Sequence, residues 1–327
     1  MRRSLESHPD ARVAGSLLED DPFARIMMAD GSGAWIQPVP VSIGAQPPLI
    51  FERDDVLRSN HFCGAELLAD NFGQPDFEQV SGNNTPMGST LFTAELAFDA
   101  DHEFCLDYSS STTNVGNRIV TMNLQYEGEV SMTHEITTIF VRTSSNQPYT
   151  SSDASTLFNQ FRNAWNANRA SIQQEAVQLV SGESIIGGTI GIAWVGAICT
   201  SCGYGMVEAD SHHHFASATD LSAHELEHNW NAQHGSCTSH TMNPSITSAN
   251  TFDPSATRGS ITSFRDSRTC LRTSDGGGGG GLRNDDCANA EAITAGAPRS
   301  APRPPPTAAS PGPAPRRMIP TPVAATP

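Results

Sequence analysis

His224-Glu225-Leu226-Glu227-His228-Asn229-Trp230-Asn231-Ala232-Gln233-His234 is the stretch whose reading decides the fold of this chain. On a helix, side chains four apart share a face, so the imidazoles of His224 and His228 can meet one metal ion with the Glu225 carboxylate beside them. A third imidazole, His234, follows six residues after His228. To return to the same ion the chain must leave the helix in between, and Asn231 is one of the few non-glycine residues that tolerates the left-handed conformation such a turn needs. Three imidazoles and one open position make a catalytic zinc arrangement, whereas structural zinc sites are usually closed by four protein ligands.

The pattern H-E-x-x-H-x-x-Asn-x-x-H resembles that of the metzincin clan of zinc metallopeptidases, and the flanks are most similar to its reprolysin (adamalysin-like) branch. The clan places a methionine turn beneath the metal, and Thr241-Met242-Asn243-Pro244-Ser245-Ile246 follows, with Met242 eight residues after His234. Gly191-Ile192-Ala193-Trp194-Val195-Gly196-Ala197-Ile198-Cys199 and Gly203-Tyr204-Gly205-Met206-Val207 resemble the branch's edge strand and the strand after it. The resemblance covers residues 91–272 and is strongest over 185–272; Asn231 stands where the clan usually has Gly. A rival zincin class takes its third ligand from a downstream Glu, but after Glu227 the next Glu is Glu291, in the tail.

The resemblance implies an α/β chain of the α+β, zincin-like kind. A twisted mixed sheet packs on helices, with an active-site helix and a lower C-terminal subdomain, preceded by a small strand-rich pro-segment. It implies one catalytic Zn2+ on His224, His228 and His234, with Glu225 activating a water held by the metal and Met242 as a hydrophobic floor. Pro244, Ser245 and Ile246 would wall the pocket for the side chain after the scissile bond. Residues 189–196 would pair with an extended substrate. A disulfide would join Cys199 to Cys270. Branch pro-segments fill the open zinc position with a Cys-Gly thiolate, and His61-Phe62-Cys63-Gly64 resembles this, which would make Cys63 a zymogen switch; the plainer reading of Cys63 is a buried or disulfide-bonded residue. The implied function is a secreted zinc-dependent endopeptidase acting on proteins or peptides, and the alternative is a catalytically silent zinc-binding module for protein interaction.

Composition is compatible with that reading. The chain has 19 basic residues, all Arg, against 35 acidic ones, a net charge of -16. Such a surface repels phosphate backbones, so no nucleic-acid partner is expected. No window approaches the roughly 18–20 apolar residues of a membrane span. The opening residues Met1-Arg2-Arg3-Ser4-Leu5-Glu6-Ser7-His8 have no apolar run behind them and do not form a signal peptide. The acidic chain, the seven Cys and the enzyme class nevertheless suit an extracellular monomer, with the true beginning expected upstream.

The chain divides into a propeptide-like segment (1–90), a metallopeptidase domain (91–272), a Gly-rich linker with the start of a truncated accessory segment (273–297) and a Pro-rich disordered tail (298–327). Residues 1–90 read as separate and loosely organised, with strands around Ala34-Trp35-Ile36 and Leu49-Ile50-Phe51. Val115, Ile119, Met122 and Tyr126 recur at helical spacing, and residues 136–141 read as a strand. Asp153 caps a helix with a stripe of Leu157, Phe161 and Trp165, continued less regularly by Ile172, Ala176 and Leu179. Residues 210–214, with three consecutive His, read as a loop. Ser222 offers an N-cap for the helix of the metal ligands, with Glu225 in capping-box position. The expected order is helix, strand, helix, strand, strand, active-site helix. Cys202 with Cys237 is a further candidate pair, and Cys105 and Cys287 stay unassigned.

Overall fold

Short alternating stretches near the start of the chain build a sheet of their own. Its strands are β1 (Arg2–Leu5), β2 (His8–Leu17), β3 (Pro22–Met27), β4 (Gly33–Gln37) and β5 (Leu49–Glu52). They pair antiparallel in the order β1-β2-β3-β4-β5, a meander. The computed structural model from which this is taken describes residues 2–5, 8–17, 22–39, 47–56, 61–65, 67–68, 90–108, 110–172, 174–209 and 214–274.

The meander is not the separate, loose segment that its prolines suggest. Phe23, Trp35 and Val56 are buried in one apolar cluster with Phe215 and Ala216, which lie far along the chain. The Gln37 side-chain oxygen accepts from the Phe215 amide at 2.7 Å. Arg25 lies across the Trp35 ring and donates from Nη2 to the Asn250 carbonyl at 3.0 Å. Burial lowers the Arg25 pKa to about 10, while Glu129 and Asp220 pull it up, so the guanidinium stays charged. These contacts join elements distant in sequence, which local periodicity does not register. Meander and larger sheet belong to one compact unit, Met1–Gly281.

The larger sheet has seven strands. They are β6 (Phe62–Cys63), β7 (Leu91–Ala100), β8 (Met132–Val141), β9 (Ala176–Ser181), β10 (Thr189–Ala193), β11 (Tyr204–Glu208) and β12 (Arg272–Ser274). In parallel pairing β8 joins β7, β7 joins β9 and β9 joins β11. Then β10 reverses direction against β11, and β6 lies parallel along the outer side of β10. Between the strands run α1 (His102–Asp107), α2 (Ser111–Val130), α3 (Ala154–Arg169), α4 (Phe215–Asn229) and α5 (Thr257–Asp266). Val115, Ile119, Met122 and Tyr126 of α2 share one core with Leu221 and Leu226 of α4 and Ile261 of α5. Leu157, Phe161 and Trp165 of α3 share another with Ile192, Trp194 and Met206. The fold is mixed α/β, as expected.

Several expectations need correcting. The stripe on α3 does not continue through Ala176 and Leu179: the helix, capped by Asp153 accepting from the Thr156 amide at 2.9 Å, ends at Arg169. Ala176–Ser181 is a strand with all six residues buried, so it lacks the alternation by which a one-sided strand is recognised. With β7, it adds strands that the expected order omitted. Ser222 is no N-cap either, since α4 begins at Phe215 after the N-cap His214 and Ser222 is buried within it. The packing of Phe215 against the meander stabilises those earlier turns.

Cys199 and Cys270 form a disulfide that closes a separation of 71 residues, with Cα atoms 6.1 Å apart. Cys202 and Cys237 are not paired with each other. Cys202 packs against the core on the α3 side, while Cys237 lies 3.0 Å from the Ser239 hydroxyl. Among the described residues no helix is long and apolar enough to cross a membrane. The glycine tether 276–281, Cys287, the accessory-like segment, the Pro-rich tail, His212 and His213 lie outside the described residues.

Candidate metal centre

Helix α4 runs through the interior with nearly every residue buried, and its last turns aim His224 and His228 the same way. Asn229 pins this end to the sheet, donating from Nδ2 to the carbonyls of Trp194 (2.8 Å) and Tyr204 (3.1 Å). The helix closes with the Trp230 amide on the Leu226 carbonyl. Asn231 then takes φ 71°, the left-handed residue that the turn to His234 requires.

The three imidazoles converge. His234 Nε2 is 3.1 Å from His224 Nε2 and 3.2 Å from His228 Nε2. Tetrahedral ligands at zinc–nitrogen distances of about 2.05 Å would stand about 3.3 Å apart, so the cage fits that ion. Backbone carbonyls fix two of the rings: His224 Nδ1 lies 2.8 Å from the Thr241 oxygen and His228 Nδ1 2.9 Å from the Ala232 oxygen. Each Nδ1 donates, which leaves the Nε2 lone pair for a metal. Burial, reinforced by neighbouring imidazoles, drives the His224 pKa down to about 3 and that of His228 well below its ordinary value. Both rings are therefore neutral, as ligation requires.

A fourth donor comes from the other end of the chain. Cys63 is buried, with its sulfur 3.4 Å from His228 Nε2 and 3.5 Å from Glu225 Oε2. One ligand atom from each of Cys63, His224, His228 and His234 lies within 4.8 Å of the others. The backbone delivers the thiol there. The Cys63 amide donates to the Pro244 carbonyl at 2.9 Å and the Gly64 amide to the Gly191 carbonyl at 2.8 Å, while Phe62 bridges to Ser245. Phe62 to Gly64 thus threads between edge strand β10 and the residues after Met242. Leu68, a turn later, is fully buried in the apolar layer with Ile185, Ile192 and Trp194.

Glu225 is fully buried beside that sulfur. Opposite it the edge strand carries Gly191, where a Cβ would collide with the Glu225 carboxylate and with Leu221. Met242 and Ile246 are buried in the apolar core, Ser245 is half-buried and Pro244 exposed. His240, the other imidazole of this region, faces Asp253 at 3.7 Å and is outside the cluster.

Two contributors escaped the sequence reading. Gly191 had a legible signal, because a glycine inside an apolar strand often marks a close approach. Asn229 had none, since its partners, the Trp194 and Tyr204 carbonyls, lie more than twenty residues upstream.

The profile of Metallo-peptidase family M12, of the reprolysin type, matches residues 91–278, more than half of the 327. The chain belongs to this family. The family is one of metallopeptidases. No curated protein matches the chain. A solved structure titled "Structure of a chaperone-substrate complex" is 18% identical with a TM-score of 0.37, over 45% of this chain and 25% of that one. The chain thus spans about a quarter of that structure's length.

Proposed function

We propose that this chain is the latent form of a secreted, monomeric zinc endopeptidase, in which residues 1–90 are the pro-segment and Cys63 closes the metal site until it is displaced. The observation that carries this reading is the four-donor cluster of Cys63, His224, His228 and His234 with the Glu225 carboxylate against the sulfur. Zinc, when bound there, supplies a Lewis acid that polarises a peptide carbonyl and makes a water acidic.

The chain's own residues do the rest. With Cys63 in place no water can occupy the fourth position beside Glu225, and the chain is inert. Once the thiol leaves, Glu225 faces the vacated space, accepts a proton from a water there and passes it to the departing amine. The close approach of Gly191 holds the carboxylate at that position. The edge of β10, bonded now to Gly64, becomes available to the backbone of an extended substrate, and Pro244, Ser245 and Ile246 flank its far side. The disulfide supports an oxidising compartment.

A silent zinc-binding module is the second reading, and the closed four-donor set favours it for as long as Cys63 stays bound. Zinc content and casein cleavage of the Cys63→Ala chain separate the two. If the thiol fills the position about 99% of the time, its removal raises cleavage about a hundredfold, and a chelator abolishes the gain. Stoichiometric zinc without cleavage in that variant would favour the silent module; absence of zinc from the wild-type chain would exclude both.

A further inference from the structure

One turn before His224, α4 carries Asp220, the one charged side chain among residues 215–223 and fully buried. A carboxylate in the interior is costly unless hydrogen bonds replace its water. Here they come from one loop. Oδ1 accepts from the Thr241 hydroxyl at 2.9 Å and the Asn250 amide at 2.8 Å, and Oδ2 from the Thr247 hydroxyl at 3.4 Å. That loop carries Met242 and the wall formed by Pro244, Ser245 and Ile246. Its ends are tied together by the Thr241 amide on the Thr251 carbonyl at 3.0 Å, so Asp220 grips a closed loop from inside.

Thr241 is the link to the metal. Its hydroxyl reaches Asp220, and its carbonyl, 2.8 Å from His224 Nδ1, fixes the imidazole whose Nε2 faces the cage. Neutral contacts tie the same loop to the helix, Ser217 with Ser248 at 2.8 Å and Asn250 Nδ2 to the Ala216 carbonyl at 3.0 Å. Asp220 gathers three of the loop's hydrogen bonds on one side chain, from two hydroxyls and one amide, and is therefore the principal anchor; Arg25 of the meander reaches the loop through the Asn250 carbonyl.

We propose that Asp220 is a positioning residue: through Thr241 it sets the orientation of His224, and through Thr241, Thr247 and Asn250 it holds the wall that receives substrate. This rests on the peptidase reading above. Removing the carboxylate frees the loop, so zinc is held less firmly and the wall loses definition while the rest of the fold persists.

The test measures zinc release from the full-length chain into excess chelator, for wild type, Asp220→Ala, Asp220→Asn, Thr241→Val and Asp101→Ala. Asp101 is a buried control: its carboxylate accepts from the Phe104 and Gly182 amides and the Ser181 hydroxyl, none of which belongs to the loop or the cage. Outer-shell changes typically weaken metal binding about 10- to 100-fold, so Asp220→Ala is expected to release zinc faster by that factor. Asp220→Asn, with one acceptor oxygen instead of two, and Thr241→Val are expected in between. Asp101→Ala should lower the melting temperature without changing release. In a Cys63→Ala background, Asp220→Asn should raise KM more than it lowers kcat for peptides varied after the scissile bond.

Wild-type release rates in folded Asp220→Ala, or equal acceleration in Asp101→Ala, would overturn the proposal. Should Asp220→Ala fail to fold, unchanged release from both Asp220→Asn and Thr241→Val overturns it instead. A wild-type chain without bound zinc would sink the peptidase reading, whereas wild-type zinc with unaffected variants sinks this inference alone.

Discussion

The four side chains of the candidate metal centre come from two regions that obey different rules. His224, His228 and His234 lie within eleven consecutive residues, brought together by the pitch of α4 and one left-handed Asn. Cys63 is 165 residues from His228 and arrives because β6 adds to the edge of the sheet. The first group is built into the helix and the turn that follows it, and cannot leave without unfolding them. The second is held by two backbone hydrogen bonds, the ladder of a two-residue strand and the burial of Leu68, contacts that cleavage of the chain can release. On the proposed reading these are a permanent cage and a removable stopper, the parts a latent enzyme needs, and each prediction strains one side of that contrast.

The largest effect is expected inside the permanent cage. In a Cys63→Ala chain, Glu225→Gln should lower peptide cleavage by roughly 10²–10⁴-fold, the usual contribution of a general base, with zinc content unchanged. Turnover equal to that of the parent would remove Glu225 from the chemistry.

The next prediction concerns the stopper. Trp35 is buried between the meander and Phe215, at the start of the ligand-bearing helix. Trp35→Ala should cost about 3–5 kcal/mol of meander docking, read as faster amide exchange in β3 and β4 and as partial gain of cleavage by the full-length chain. Unchanged exchange would mean that the meander is held by other contacts and plays no part in latency.

The smallest effect separates the helix's stability from its chemistry. Glu227 is fully buried, neither carboxyl oxygen has a hydrogen-bond partner, and burial, with Asp220 and Glu129 nearby, raises its pKa well above 4.5. An acid that binds its proton more tightly folded than unfolded subtracts stability as pH rises above the unfolded value. Glu227→Met should therefore stabilise the chain by about 1–3 kcal/mol, the cost of an unsatisfied buried group, and the gain should widen from pH 4.5 upward. Urea midpoints at pH 4.5 and pH 8 measure this; a gain independent of pH would show that Glu227 does not titrate differently on folding.

The same contrast explains what the residues revealed in advance. The spacing of His224 and His228 on α4, the turn at Asn231 and the stripe of Leu157, Phe161 and Trp165 are local and periodic, so they could be read directly. Strand β9 could not, because burial on both faces removes alternation and Ala176 and Leu179 pass for more of a helix. Ser222 misled for the opposite reason: its capping pattern is real in sequence, but packing at Phe215 extends the helix past it. The docking of Arg25, Trp35 and Gln37 onto α4 and its neighbouring loop depends on surfaces that exist only once both ends have folded. Cys63 was singled out only through the resemblance of Cys63-Gly64 to a family feature, since nothing local to it announces a metal.

The central claim is that one ion is shared by both regions, and cobalt tests it most directly. Full-length chain reconstituted with Co2+ should bind one ion with a tetrahedral spectrum and a thiolate charge-transfer band, and Cys63→Ser should lose that band while keeping the metal on its imidazoles. A wild-type spectrum without the thiolate band, or one that Cys63→Ser leaves intact, would contradict the account.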